Sequence, residues 1–68
     1  MDVRDRLRQL LRERHINCAS IAPAVGMTGQ QLYDCFAHRR KLEAMELLRI
    51  CRMLSLSFED FKPCLDEQ

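Results

Sequence analysis

The run Thr28-Gly29-Gln30-Gln31-Leu32-Tyr33-Asp34-Cys35-Phe36-Ala37 places its polar groups where they can act together. Advanced by about 100° per residue, Leu32, Cys35 and Phe36 gather on one side of a helix. Gln30, Asp34 and Ala37 lie opposite, with Tyr33 at the border. A glutamine amide can pair bidentately with N6 and N7 of adenine, and an aspartate can accept from N4 of cytosine. A tyrosine can pack on a thymine methyl or bond a phosphate. Gln30, Tyr33 and Asp34 are therefore the candidates for reading base edges. Thr28 and Gly29 head the helix, where backbone N–H groups can hold a phosphate and a glycine lets the chain come close. Gln31 points more sideways and is a phosphate candidate. Arg39-Arg40-Lys41 follow the helix directly, and cations beside a groove position a protein on the backbone without reading sequence. Each residue also has a plainer role: an exposed amide, a half-buried ring, a solvated charge run.

The rest of the chain must position this helix. Sixty-eight residues suit a single domain, 1–68, with a modest core that an oligomer would help. Hydrophobic residues make up 47% and charged residues 31%, which fits a folded globular chain rather than a disordered one. Its apolar runs are too short to cross a bilayer. Asp2, Arg4, Asp5 and Arg6 stand where a secretory signal would be apolar, so the expected location is cytoplasmic. The net charge of +1 is split unevenly. Residues 1–41 hold eight Lys/Arg and four Asp/Glu, or +4; residues 42–68 hold three and six, or −3. A basic half can face a polyanion while the acidic half faces away.

Cys18, Cys35, Cys51 and Cys64 form no C-x-x-C pair, and no histidine stands at zinc-finger spacing. They read as small apolar residues, with no metal and no disulfide expected. Neither a nucleophile–base arrangement nor a phosphate-cradling glycine loop is legible, so no enzyme activity, cofactor or small-molecule ligand is expected.

The periodicity is helical throughout. Asp2 can cap a first helix to about Arg14, with Val3, Leu7, Leu10 and Leu11 as its apolar stripe and Arg4, Arg8 and Arg12 along another face. Asn17 can cap a second, reaching about Val25 and burying Ile21, Ala22 and Val25. Pro23 requires that this helix either begin near Ser20 or bend. Gly26 suits a left-handed C-cap, with Met27 buried in the turn, and Thr28 caps the third helix, about 29–37. A fourth helix, roughly Glu43 to Leu54, is expected to bury Met45, Leu47 or Leu48, Cys51 and Leu54. Ser57 can cap a short fifth, with Asp60 at its third position and Pro63 at or near its end.

A sharp turn at Gly26 between two such helices, about 18–37, gives a helix-turn-helix, in which the second helix is presented to the major groove. Ile21-Ala22-Pro23-Ala24-Val25-Gly26-Met27-Thr28 resembles the L-A-x-x-x-G-v-s/t core of the lambda repressor and Cro-type domains, the xenobiotic-response-element (XRE) family. Leu32 takes the place of that family's helix-three isoleucine. Leu48, Cys51, Leu54, Leu56, Ser57 and Phe61 resemble its closing pattern. The resemblance runs from about Leu7 to Phe61 and implies an all-α, five-helix lambda-repressor-like fold. It also implies a transcription regulator, repressor-like or Cro-like, bound to double-stranded DNA as a homodimer on a palindromic operator. Phe58, Phe61, Cys64 and Leu65 are too apolar for a free tail and are the candidate dimer interface, internal packing being the alternative.

The departures from the family are specific. Cys18 replaces a glutamine that helps hold the backbone phosphates. Leu11 and Phe36 stand where an Arg–Glu ion pair is usual, an exchange of charge for packing. His38 and Ser55 occupy positions usually held by glycine, and Cys51 one usually held by alanine. Cys18, Gly29 and Asp34 together raise an alternative: a protein-interaction module that keeps the fold and has lost specific DNA binding.

Overall fold

Capping residues set where each helix begins. In the computed structural model, which describes residues 1–66, the Asp2 carboxylate accepts from the Arg4 amide at 2.7 Å and starts α1, Val3–Glu13. The Asn17 side chain accepts from the Ala19 amide at 2.8 Å and starts α2, Cys18–Ile21. Thr28 starts α3, Gly29–Phe36, through a reciprocal cap: the Gln31 amide donates to Thr28 Oγ1, and the Thr28 amide to Gln31 Oε1, each at 3.0 Å. Glu43 precedes α4, Ala44–Leu54, and its backbone N–H donates to Glu46 Oε1 at 3.0 Å. The Ser57 backbone N–H donates to Asp60 at 2.8 Å, at the head of a 3₁₀ turn, Phe58–Phe61. The architecture is all-α with five α-helices among the described residues.

Both prolines stand at second positions of new turns. α2 ends at Ile21 and tightens into a 3₁₀ turn, Ala22–Val25, in which Pro23 occupies the first turn. There the missing N–H removes no interior hydrogen bond, so the chain bends without the cost of a mid-helix proline. Pro63 likewise opens α5, Lys62–Leu65, rather than ending the helix before it. The proline expected to close the fifth helix instead divides it into a 3₁₀ turn and a helical turn.

Four turns end the same way. Gly26 (φ 79°), His15 (φ 56°), His38 (φ 64°) and Ser55 (φ 54°) are all left-handed. In each case the following amide reaches back five residues: Met27 to Ala22, Ile16 to Leu11, Arg39 to Asp34 and Leu56 to Cys51, at 2.8–3.0 Å. These are Schellman closures, which satisfy carbonyls that the helix leaves open. Glycine enters this conformation without steric cost, whereas a side chain raises its energy by roughly 1–2 kcal/mol. Ser55 is exposed and its side chain makes no hydrogen bond among the described residues. Ser55→Gly is expected to stabilise the chain by about 0.5–1 kcal/mol after the entropy glycine adds to the unfolded state. A rise of several degrees in the thermal midpoint would register it, and a fall would contradict it.

The core gathers Leu7 and Leu11 from α1, Ile21, Ala22 and Val25 from the second helix and its turn, Leu32, Cys35 and Phe36 from α3, and Ile50 and Leu54 from α4. Met27 fills the turn beside them. Leu11 and Phe36 both lie in this core, so packing does occupy the positions of the family's usual ion pair. α4 departs from its expected burial. Met45 and Leu48 are exposed, Leu47 and Cys51 are half-buried, and the fully buried residue is Ile50. The helix is apolar on several sides, so its own pattern leaves the inward face open. Contact with the 3₁₀ turn 22–25 selects the Ile50–Leu54 face.

Candidate nucleic-acid interface

Leu32, Cys35 and Phe36 anchor α3 from below, and this leaves Gln30 and Tyr33 exposed. Asp34 is half-buried, and not because the core covers it. Its Oδ1 accepts from Gln30 Nε2 and from Arg39 Nη2, each at 3.0 Å. The Arg39 guanidinium lies over the Tyr33 ring, 5.5 Å from its centroid. The three expected base-reading residues and the first expected phosphate cation thus form one connected cluster on the open side of α3. The left-handed turn at His38 brings Arg39 back, with its amide on the Asp34 carbonyl at 2.8 Å.

The head of α3 is organised differently from its expected use. The Gln31 side-chain oxygen is engaged in the cap, which leaves only its NH₂ for an incoming anion. Thr28 Oγ1 accepts from Gln31, and its hydroxyl hydrogen remains for donation. The amides of Gly29 and Gln30 belong to the first turn, whose N–H groups have no acceptor within the helix. A Cβ at Gly29 would lie 3.5 Å from Ala19 of α2, ordinary van der Waals contact. A methyl group at this position would be accommodated against α2, so the close packing of α2 on α3 does not itself require a glycine.

Arg40 and Lys41 divide the basic run. Arg40 reaches inward: its two Nη atoms donate to the two Glu46 oxygens, each at 3.1 Å, and Nη1 also lies 3.3 Å from Cys35 Sγ. Such a fork-to-fork pair fixes geometry as well as charge. Because Glu46 also accepts from the Glu43 amide, this one carboxylate joins the end of α3 to the start of α4. Arg39 and Lys41 remain on the outside; the Arg39 side chain is 59% exposed. Neighbouring Arg4 chelates Asp2 and reaches the Arg40 carbonyl at 3.5 Å, while His38 Nε2 meets Asp5 Oδ1 at 2.8 Å. Through these contacts the front of α1 braces the loop after α3.

The Arg40 fork holds the Glu46 carboxyl below its usual range, with help from the Glu43 amide. The Arg4 side chain similarly lowers Asp2 to about 2. A carboxylate with a depressed folded pKa contributes stability above its unfolded pKa and loses it as pH falls. Stability is therefore expected to decline below about pH 4.5, the unfolded value for a glutamate. Glu46→Gln is expected to lower stability at neutral pH and to approach the parent near pH 3. Denaturant unfolding at both pH values measures this, and a constant gap would contradict it.

Sequence reasoning missed the Arg40–Glu46 pair, the His38–Asp5 contact and the Gln30–Asp34–Arg39 cluster. Only the last left a signal: Gln30 and Asp34 are four apart on a helix, the spacing at which polar side chains meet. Residues 6–62 match the family model of the Cro/C1-type helix-turn-helix DNA-binding domain. No curated protein and no solved structure shows significant similarity to the chain.

Proposed function

The chain belongs to the Cro/C1-type helix-turn-helix DNA-binding family, and on that premise we propose that it is a sequence-specific regulator of transcription that sets α3 in the major groove. The observation that carries this reading is the exposed polar face of α3, joined to a cation at its end by the 3.0 Å contact between Asp34 and Arg39. Gln30 and Tyr33 read base edges. Arg39, Lys41, the NH₂ of Gln31 and the head of α3 at Thr28 and Gly29 hold phosphates. Arg40 acts through the loop it locks to Glu46, because its donors are engaged there.

In this reading two copies bind a palindromic operator, with recognition helices about 34 Å apart, one turn of duplex. Support for the pairing comes from a surface groove of about 390 Å³, whose walls include Leu48, Leu56, Phe58, Phe61, Cys64 and Leu65. Phe58 is 76% exposed and Leu48 58%, an apolar surface that a second copy would cover. The other reading, a module that binds only a different protein, draws on the same groove and predicts no base preference.

Sedimentation of the chain with duplex across a salt series tests the proposal. The log affinity is expected to fall by roughly 0.9 per phosphate neutralised for each unit of log salt, with two chains on a palindromic site. Affinity indifferent to salt, or one chain per palindrome at saturation, would count against it.

A further inference from the structure

We infer that Asp34 is the positioning residue of the base-reading face: its carboxylate sets the direction of the Gln30 amide and keeps Arg39 beside it. The inference rests on the duplex-binding reading above and deepens it, moving Asp34 from base contact to the control of one. An ionised carboxylate only accepts hydrogen bonds. The Gln30 group that meets Asp34 Oδ1 at 3.0 Å must therefore be the NH₂. That leaves one amide N–H and the carbonyl oxygen of Gln30 without a partner among the described residues. These are the donor and the acceptor that match N7 and N6 of adenine. Without the tether the amide turns freely between two orientations, which offer donor and acceptor in opposite order, and only one suits adenine.

The same oxygen explains how an acidic residue sits on a surface facing a polyanion. Arg39 Nη2 donates to it at 3.0 Å and offsets its charge, while the Tyr33 ring supports the guanidinium from one side. The Asp34 carbonyl also accepts the Arg39 amide at 2.8 Å, so one residue holds Arg39 by main chain and side chain. A cytosine N4 donor would have to compete for an oxygen that already accepts twice.

The test compares wild type with Asp34→Asn and Asp34→Glu. The free proteins are examined by side-chain amide NMR. Binding is then measured by competition among single-base-pair variants of the duplex that the wild type selects from a random pool. In Asp34→Asn, whose own amide can meet either end of Gln30, the Gln30 side-chain resonances are expected to move. Preference for adenine at one base pair should fall at least about fivefold, part of what a bidentate contact supplies. Asp34→Glu should retain most of that preference, and the thermal midpoint should change little in either variant. An unchanged preference in Asp34→Asn overturns the inference, as does a loss confined to a pair that Gln30→Ala leaves untouched, which would mark direct reading by Asp34. A wild type that selects no sequence removes the duplex-reading function itself, and this inference with it.

Discussion

Leu32→Ala is expected to lower the thermal midpoint by roughly 10–30 °C. Leu32 is fully buried in the core that joins α1, α2, α3 and α4. Truncating a buried leucine costs about 2–5 kcal/mol, in lost transfer energy and in the cavity left behind. At roughly 0.05–0.15 kcal/mol per residue, a domain of this length holds about 3–10 kcal/mol in all. The substitution therefore removes a large share of the total, and duplex binding should be lost at the lower temperature at which the helical signal is lost. Circular dichroism through a thermal scan measures the first effect, and binding of the same sample measures the second. A variant that melts within a few degrees of the parent would show that α3 is not held by this core.

Gln30→Ala acts at the other end of the same helix and should spare the fold. The side chain is exposed, so truncation opens no cavity. Its two remaining hydrogen-bonding groups are the ones a base edge would use. The expected cost on the preferred duplex is about 1–3 kcal/mol, concentrated at one base pair, with little change on unrelated duplex. Arg39→Ala should behave in the opposite way, weakening all sequences alike and reducing the salt slope by about one phosphate contact. Paired titrations of preferred and scrambled duplex separate the two. If Gln30→Ala weakened both duplexes equally, its role would be positional rather than specific.

The difference between these two substitutions also marks what the sequence could reveal. Capping residues act within a few positions of their own helix, so Asp2, Asn17, Thr28 and Ser57 locate the helix starts from the chain alone. The inward side of α3 was equally legible, because only Leu32, Cys35 and Phe36 are apolar enough to choose it. α4 is the counter-case: Met45, Leu47, Leu48, Ile50, Cys51, Met53 and Leu54 leave no single apolar side. Contact with another element decides which of them turn inward. Pro23 and Pro63 were recognisable as breaks, but whether a chain stops, bends or restarts there depends on the turn that follows. The Schellman closures at His38 and Ser55 were foreshadowed by the family's glycines at those positions, and both residues accept the left-handed backbone.

The candidate site could be named from the sequence as a set of residues, but not the way its members are arranged. The charge run 39–41 looks uniform in sequence. In three dimensions its members part: Arg39 lies along the polar side of α3, Arg40 turns to Glu46, and Lys41 stays outside. The cause is the left-handed residue at 38, which reverses the chain and sends successive side chains to different surfaces. Glu46, in the first turn of α4, attracts Arg40 across five intervening residues, a contact that no local pattern encodes.

The central claim is that the open side of α3 distinguishes one duplex sequence from another. Selection of binding sites from a pool of random duplexes, followed by sequencing of the retained fraction, addresses it directly. The expected result is an enriched palindromic consensus in which one base pair loses its preference when Gln30 is replaced by alanine. A retained pool indistinguishable from the starting mixture would contradict it.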